Sequence, residues 1–132
     1  MAYPPNMPAA ARRHIEAADI LFAKSRGDVA GYLYGIAAEC ALKGMMLEAG
    51  MRPSITRRDD PFFAHFPELR TMLRDAPPSG RRGTPLLRLI NDDRFLSNWD
   101  TKMRYCQGKE IKEEWVISWK EQARDAVGSI GT

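Results

Sequence analysis

From Asp28 to Gly50 the chain reads DVAGYLYGIAAECALKGMMLEAG, and between Val29 and Leu47 only Glu39 and Lys43 carry charge. A helix apolar on nearly every side must be covered by other elements, so this stretch predicts a central helix. Asp28 can cap its start by accepting a free backbone N–H. Gly50 suits the left-handed position that ends a helix. Gly31, Gly35 and Gly44 each lower helix stability by roughly 1 kcal/mol against Ala. Small residues there also allow a neighbouring backbone to approach closely.

Helical spacing recurs on both sides of this segment. Ala11, Ile15, Ala18, Leu21 and Phe22 form one stripe, with Arg12, Arg13, Glu16, Asp19 and Lys24 on the polar side. This predicts a first helix from about Pro8 or Ala9 to Arg26. Ser25-Arg26-Gly27 leaves only a tight turn before Asp28, so the two helices are predicted to be antiparallel neighbours. Residues 51–61 (MRPSITRRDDP) read as a loop. A third helix is predicted behind Pro67, with Phe66, Leu69, Met72 and Leu73 apolar. Pro77, Pro78, Gly80 and Gly83 break the chain. Thr84-Pro85 signals the start of a short fourth helix, buried through Leu86, Leu87, Leu89 and Ile90. Helix is predicted to resume through Phe95, Leu96 and Trp99, and Arg104 to Gly108 reads as a turn. Trp115, Trp119, Ala123, Ala126 and Val127 stripe a last helix from about Lys109 to Gly128.

No segment shows the period-2 alternation of a strand. The fold class is therefore all-α, an antiparallel up-and-down bundle of about five helices: a four-helix core plus a short helix. Residues 1–8, with three prolines, read as a leader, 9–129 as one domain and 130–132 as a tail.

The chain has 132 residues, enough for one core. Glu39 and Lys43 interrupt its longest apolar run, which argues against a membrane span, and no basic segment leads into an apolar one at the start. Two cysteines, one inside an apolar helix, point to reduced thiols and a cytoplasmic location. The formal charge of +3 and isoelectric point near 9.0 permit an acidic or nucleic-acid partner without demanding one.

Chemistry is sparse. His14 and His65 lie far apart, and neither has a second ligand at metal spacing, so neither a metal site nor a cofactor is expected. Phosphate-cradling loops and nucleophile elbows are absent. Glu39 and Lys43, four residues apart on the central helix, are the informative pair. On an exposed stripe they would be a solvated pair worth about 0.2–0.5 kcal/mol. Under cover, Glu39 needs a cationic partner, and Arg104 is the expected one. Arg57-Arg58 and Arg81-Arg82 are basic doublets, read first as solvated loop charge, with Asp59-Asp60 neutralising the first, and second as phosphate contacts. Trp99, Tyr105, Trp115 and Trp119 can stack bases, although packing is the commoner use of such aromatics.

The order of these elements resembles a HEPN domain, the helical fold named from higher eukaryotes and prokaryotes nucleotide-binding. The likeness spans Ala9 to Ser129 and rests on Ala38-Glu39-Cys40-Ala41-Leu42-Lys43, on His65-Phe66-Pro67-Glu68-Leu69, and on Trp99 with Arg104-Tyr105. Many members of that family resemble metal-independent ribonucleases with an Arg followed four to six residues later by His. No histidine follows Arg104 in that range, so no catalytic residue is carried over. The resemblance then implies a non-catalytic module that binds a nucleotide or RNA, or a protein partner. It would act as a homodimer or beside a small nucleotidyltransferase-like protein, as in toxin–antitoxin pairs. Expected ligand contacts are Glu39, Lys43, Arg104 and Tyr105. Two alternatives stay open: a ribonuclease with a non-standard site around Arg104, and a purely structural dimeric subunit.

Overall fold

The computed structural model describes residues 5–54 and 60–132. Its five α-helices are α1 (Met7–Ala23), α2 (Gly27–Glu48), α3 (Glu68–Asp75), α4 (Thr84–Ile90) and α5 (Glu113–Gly128), with no strand among the described residues. The all-α bundle thus holds. Three of its helices are long, whereas α3 and α4 have only eight and seven residues.

Helix α2 is the axis. Tyr34 donates a 2.6 Å hydrogen bond to Asp19 of α1, and Gly44 lies beside Met7 and Pro8. Residue numbers therefore fall along α1 as they rise along α2, which is the antiparallel pairing predicted by the short turn between them. Helix α5 runs the other way relative to α1. Gly27 and Gly31 face Val116 and Trp119, and Gly131 N–H reaches Glu48 at 3.1 Å, so α5 is parallel to α2. The chain between them makes the return, through α3, α4 and 3-10 turns at Pro61–Phe63, Arg81–Gly83, Thr101–Tyr105 and Gly108–Glu110.

Several local expectations shift. Helix α1 begins one residue before Pro8, because Asn6 accepts the Ala9 N–H at 3.1 Å and caps it. Arg26, not Asp28, occupies the capping position of α2, without a side-chain cap. Asp28 instead accepts from Arg26 at 3.1 and 3.3 Å. At the other end Gly50 has φ +94°. With Gly50 N–H on Leu47 and Met51 N–H on Met46, it closes the helix by the two-bond motif that a left-handed glycine permits. Helix does not resume after α4. Leu96 and Asn98 adopt φ of 53° and 68°, and the Gln122 amide of α5 clamps this turn by accepting from Leu96 N–H and donating to Arg94 C=O, both at 2.9 Å.

Gly31 and Gly35 of α2 admit tryptophan rings, where a neighbouring backbone was expected, whereas Gly44 faces Met7 and Pro8 of α1. A Cβ on Gly35 would fall inside the Trp99 indole, and one on Gly31 would lie 2.9 Å from Trp119. Trp99 Nε1–H donates to the Gly31 carbonyl at 3.2 Å, and Trp119 Nε1–H donates to Ser97 at 2.9 Å. Both indoles are buried with their polar edge satisfied. Gly35→Ala should therefore destabilise the protein by roughly 1–3 kcal/mol through overpacking, although alanine is the better helix former. Gly128→Ala, with open space around its Cβ, should be neutral or slightly stabilising. Urea unfolding followed by circular dichroism compares the two.

Candidate functional site

The charged pair of α2 is covered. Glu39 and Lys43 are 2% and 7% exposed. The partner of Glu39 is not Arg104, as the sequence suggested, but His65. Glu39 Oε1 lies 2.7 Å from His65 Nδ1, and Oε2 accepts the Phe66 N–H at 3.1 Å. His65 itself remains half exposed. The chain entering α3 thus supplies two donors to one buried carboxylate. Burial raises the Glu39 carboxyl, and the His65 and Phe66 hydrogen bonds oppose that rise. Burial likewise lowers the Lys43 ammonium, with Glu39 acting against it, and raises the Cys40 thiol. Among the described residues the ion pair of Glu39 is with His65, not with Lys43. This cluster ties α2 to the start of α3.

Arg104 and Tyr105 lie elsewhere. The Arg104 guanidinium stands over Tyr32 at 5.6 Å and over Tyr105 at 5.4 Å, and its Nε–H donates to Thr101 at 3.2 Å. Tyr32 is seven residues before Glu39, about 10 Å along the axis of α2. The four expected contacts therefore form two places, Glu39 with Lys43 and Arg104 with Tyr105. Tyr32, which the sequence reading passed over, belongs to the second. Its ring stacks on Trp99, centroids 5.9 Å apart and planes within 13°. The result is a ladder, Trp99–Tyr32–Arg104–Tyr105, that begins in the core and ends at a ring 82% exposed. Beside it is a cleft of about 220 Å³ lined by Asp28, Val29, Tyr32, Met103, Arg104 and Ile111. Lys102 and Lys109 are exposed on the turns that frame the ladder.

The remaining candidates are mostly structural. Trp99 and Trp119 are core, and Trp115 is half-buried under the Lys112 ammonium at 5.1 Å. His14 bonds the Ala10 carbonyl of its own helix at 2.7 Å. Both cysteines are free, Cys106 exposed and Cys40 half-buried. Arg57, Arg58 and Asp59 lie outside the described residues. Asp60 is buried and accepts from Phe62 N–H and Ser54 N–H at 2.9 Å each. No group of metal-ligating side chains occurs among the described residues, and no helix there is long and apolar enough to cross a membrane. Comparison with family models, with curated proteins and with solved structures finds no match to this chain.

The buried carboxylate makes a pH prediction. Its raised value means that the folded state holds the Glu39 proton more tightly than the unfolded chain does. The stability so gained is complete below the ordinary 4.5 and is lost as pH rises through the folded value. In Glu39→Gln that loss is absent, and the amide oxygen can still accept from Phe66 N–H. Thermal melts from about pH 4 to pH 8 should show the wild type losing stability relative to Glu39→Gln as pH rises. Glu39→Ala should be less stable throughout by about 1–3 kcal/mol, because it strands the Phe66 N–H.

Proposed function

We propose that this chain is a helical nucleic-acid-binding domain of HEPN type, which takes single-stranded RNA or a nucleotide on the Arg104–Tyr105 surface. The observation that carries the reading is the ladder. A base needs a flat, solvent-open ring to stack on and a cation nearby for its phosphate. Tyr105 offers the ring. Arg104, held between Tyr32 and Tyr105 with its Nε–H already engaged, leaves its terminal N–H groups for an anion. The stack below it, down to buried Trp99, pre-orients both groups, so little side-chain freedom is lost on binding.

The likeness of Ala38–Lys43, His65–Leu69 and Arg104-Tyr105 to HEPN domains supports the same reading, and so does the mildly basic charge. The separation of Arg104 from His65 favours binding over cleavage: His65 is engaged by Glu39 at the far side of the α2 stretch, whereas Arg104 contacts Thr101, Tyr32 and Tyr105. In this reading Glu39 and Lys43 serve the architecture, and the ligand contacts reduce to Tyr32, Arg104 and Tyr105.

Fluorescence anisotropy with a short labelled single-stranded RNA tests this. Tyr105→Ala should weaken binding by about tenfold or more, the effect of removing one base–aromatic stack. Its melting temperature should hardly change, because the ring is exposed. Arg104→Ala should weaken binding and flatten its salt dependence. Equal affinity of wild type and both variants would remove the ladder from the account.

A further inference from the structure

We infer that this surface takes two adjacent nucleotides of a single strand, their bases parted by Arg104, one on the Tyr105 ring and the next in the cleft beside Tyr32; this rests on the single-strand reading above. The cleft of about 220 Å³ has room for one nucleobase and not for a whole nucleotide. Val29, Met103 and Ile111 give it an apolar lining, and Tyr32 and Arg104 form one wall. Val29 is 39% exposed, so a flat ring seated against it removes apolar surface from water.

Charge decides which part of a nucleotide goes where. Among the lining residues the charged groups are Arg104 and Asp28. Arg26 Nε and Nη2 hold both Asp28 oxygens at 3.1 and 3.3 Å, and the Asp28 and Val29 backbone N–H groups also reach the carboxylate. Gly108 packs so closely that a Cβ there would lie 2.8 Å from Oδ2. Asp28 is thus held ionised, below the usual carboxylate range, with its acceptor positions used within the protein. It repels a phosphate and offers a base edge no matching pair. The cleft therefore excludes the phosphate and takes a base through its faces, with the base edges turned to the open side.

At the rim the sign reverses. The bond from Arg104 Nε–H to Thr101 leaves the terminal N–H groups for a phosphodiester. On the exposed turns that flank it, Lys102 and Lys109 outnumber Glu110. A phosphodiester on Arg104 carries one nucleoside on each side, and each side of Arg104 has an apolar seat: the Tyr105 ring on one, the cleft on the other. Once the first base and the phosphate are bound, the second base arrives as a tethered group at high effective concentration.

The test uses the full chain and a labelled uridine-rich strand, with anisotropy as the readout. The unlabelled competitors are the uridine dinucleotide with one linking phosphate and the two forms of it that lack one base. All three carry the same phosphodiester charge. The intact dinucleotide should compete on the order of tenfold more strongly than either abasic form, the scale of one further base contact. In Val29→Phe, which fills the cleft, its advantage over the abasic form that keeps the Tyr105-stacked base should vanish, while that form competes as it does with the wild type. Equal competition by the dinucleotide and either abasic form on the wild type, or none by any of the three, overturns the two-base assignment and leaves the RNA reading to the longer strand. A full advantage retained in Val29→Phe overturns the cleft as the second seat. Failure of the labelled strand to bind overturns both readings. The abasic comparison needs no variant, so it decides even where Val29→Phe fails to fold.

Discussion

The seat of Trp99 on α2 is the contact on which the other arrangements depend. The indole occupies the space that any side chain at residue 35 would fill, and its N–H is satisfied by the Gly31 carbonyl one turn away. Trp119 uses the same stripe from α5. Two glycines in mid-helix forgo roughly 1 kcal/mol each in helix propensity. Burying two indoles, with an added 0.5–1.5 kcal/mol or so for each favourable ring pair, offsets that. One stripe of missing side chains thereby fastens both α5 and the irregular chain after α4 to the central helix. Because Tyr32 stacks on the outer side of Trp99, the same contact also fixes where Arg104 and Tyr105 stand.

Two polar features mark the two ends of α2, and they differ in kind. Toward its C-terminal half, Glu39 and Lys43 are buried charges whose ionised forms burial disfavours, stabilised in part by His65 and the Phe66 N–H. Such a cluster restricts how the segment before α3 can dock, because only a donor pair at that spot satisfies both carboxylate oxygens. At the N-terminal end, Arg104, Tyr105 and Asp28 are accessible, and Asp28 keeps its charge through Arg26. Charged groups open to solvent are the ones available to a ligand.

Much of the bundle was legible in the residues. The run from Val29 to Leu47, apolar apart from Glu39 and Lys43, pointed to a surrounded helix. Gly50 could only be read as its left-handed stop, and Pro67 as the entry to α3. The tight link at residues 24–26 demanded antiparallel helices. The differences from the sequence expectation arise where a side-chain partner decides, near or far along the chain. Asp28 has the side chain of a cap, but Arg26 two residues away captures it. Glu39 needed a donor and Arg104 was the conspicuous cation, yet the partner lay 26 residues along the chain in a histidine that looked like a loop residue. Leu96 in a left-handed conformation has no sequence signature, because Gln122 and Trp119 of α5 impose it. Nothing in the sequence marked Tyr32, whose ring links Trp99 to Arg104.

The claim that a core-anchored stack ends in a base-binding surface is tested most directly by solution NMR. Backbone and arginine side-chain N–H resonances of the isotopically labelled chain would be followed while single-stranded RNA is added. The account predicts shifts concentrated at Asp28, Tyr32, Arg104, Tyr105 and Gly108, with the Glu39, His65 and Phe66 signals hardly moved. Shifts centred on His65 and α3, or spectra unchanged at saturating RNA, would contradict it.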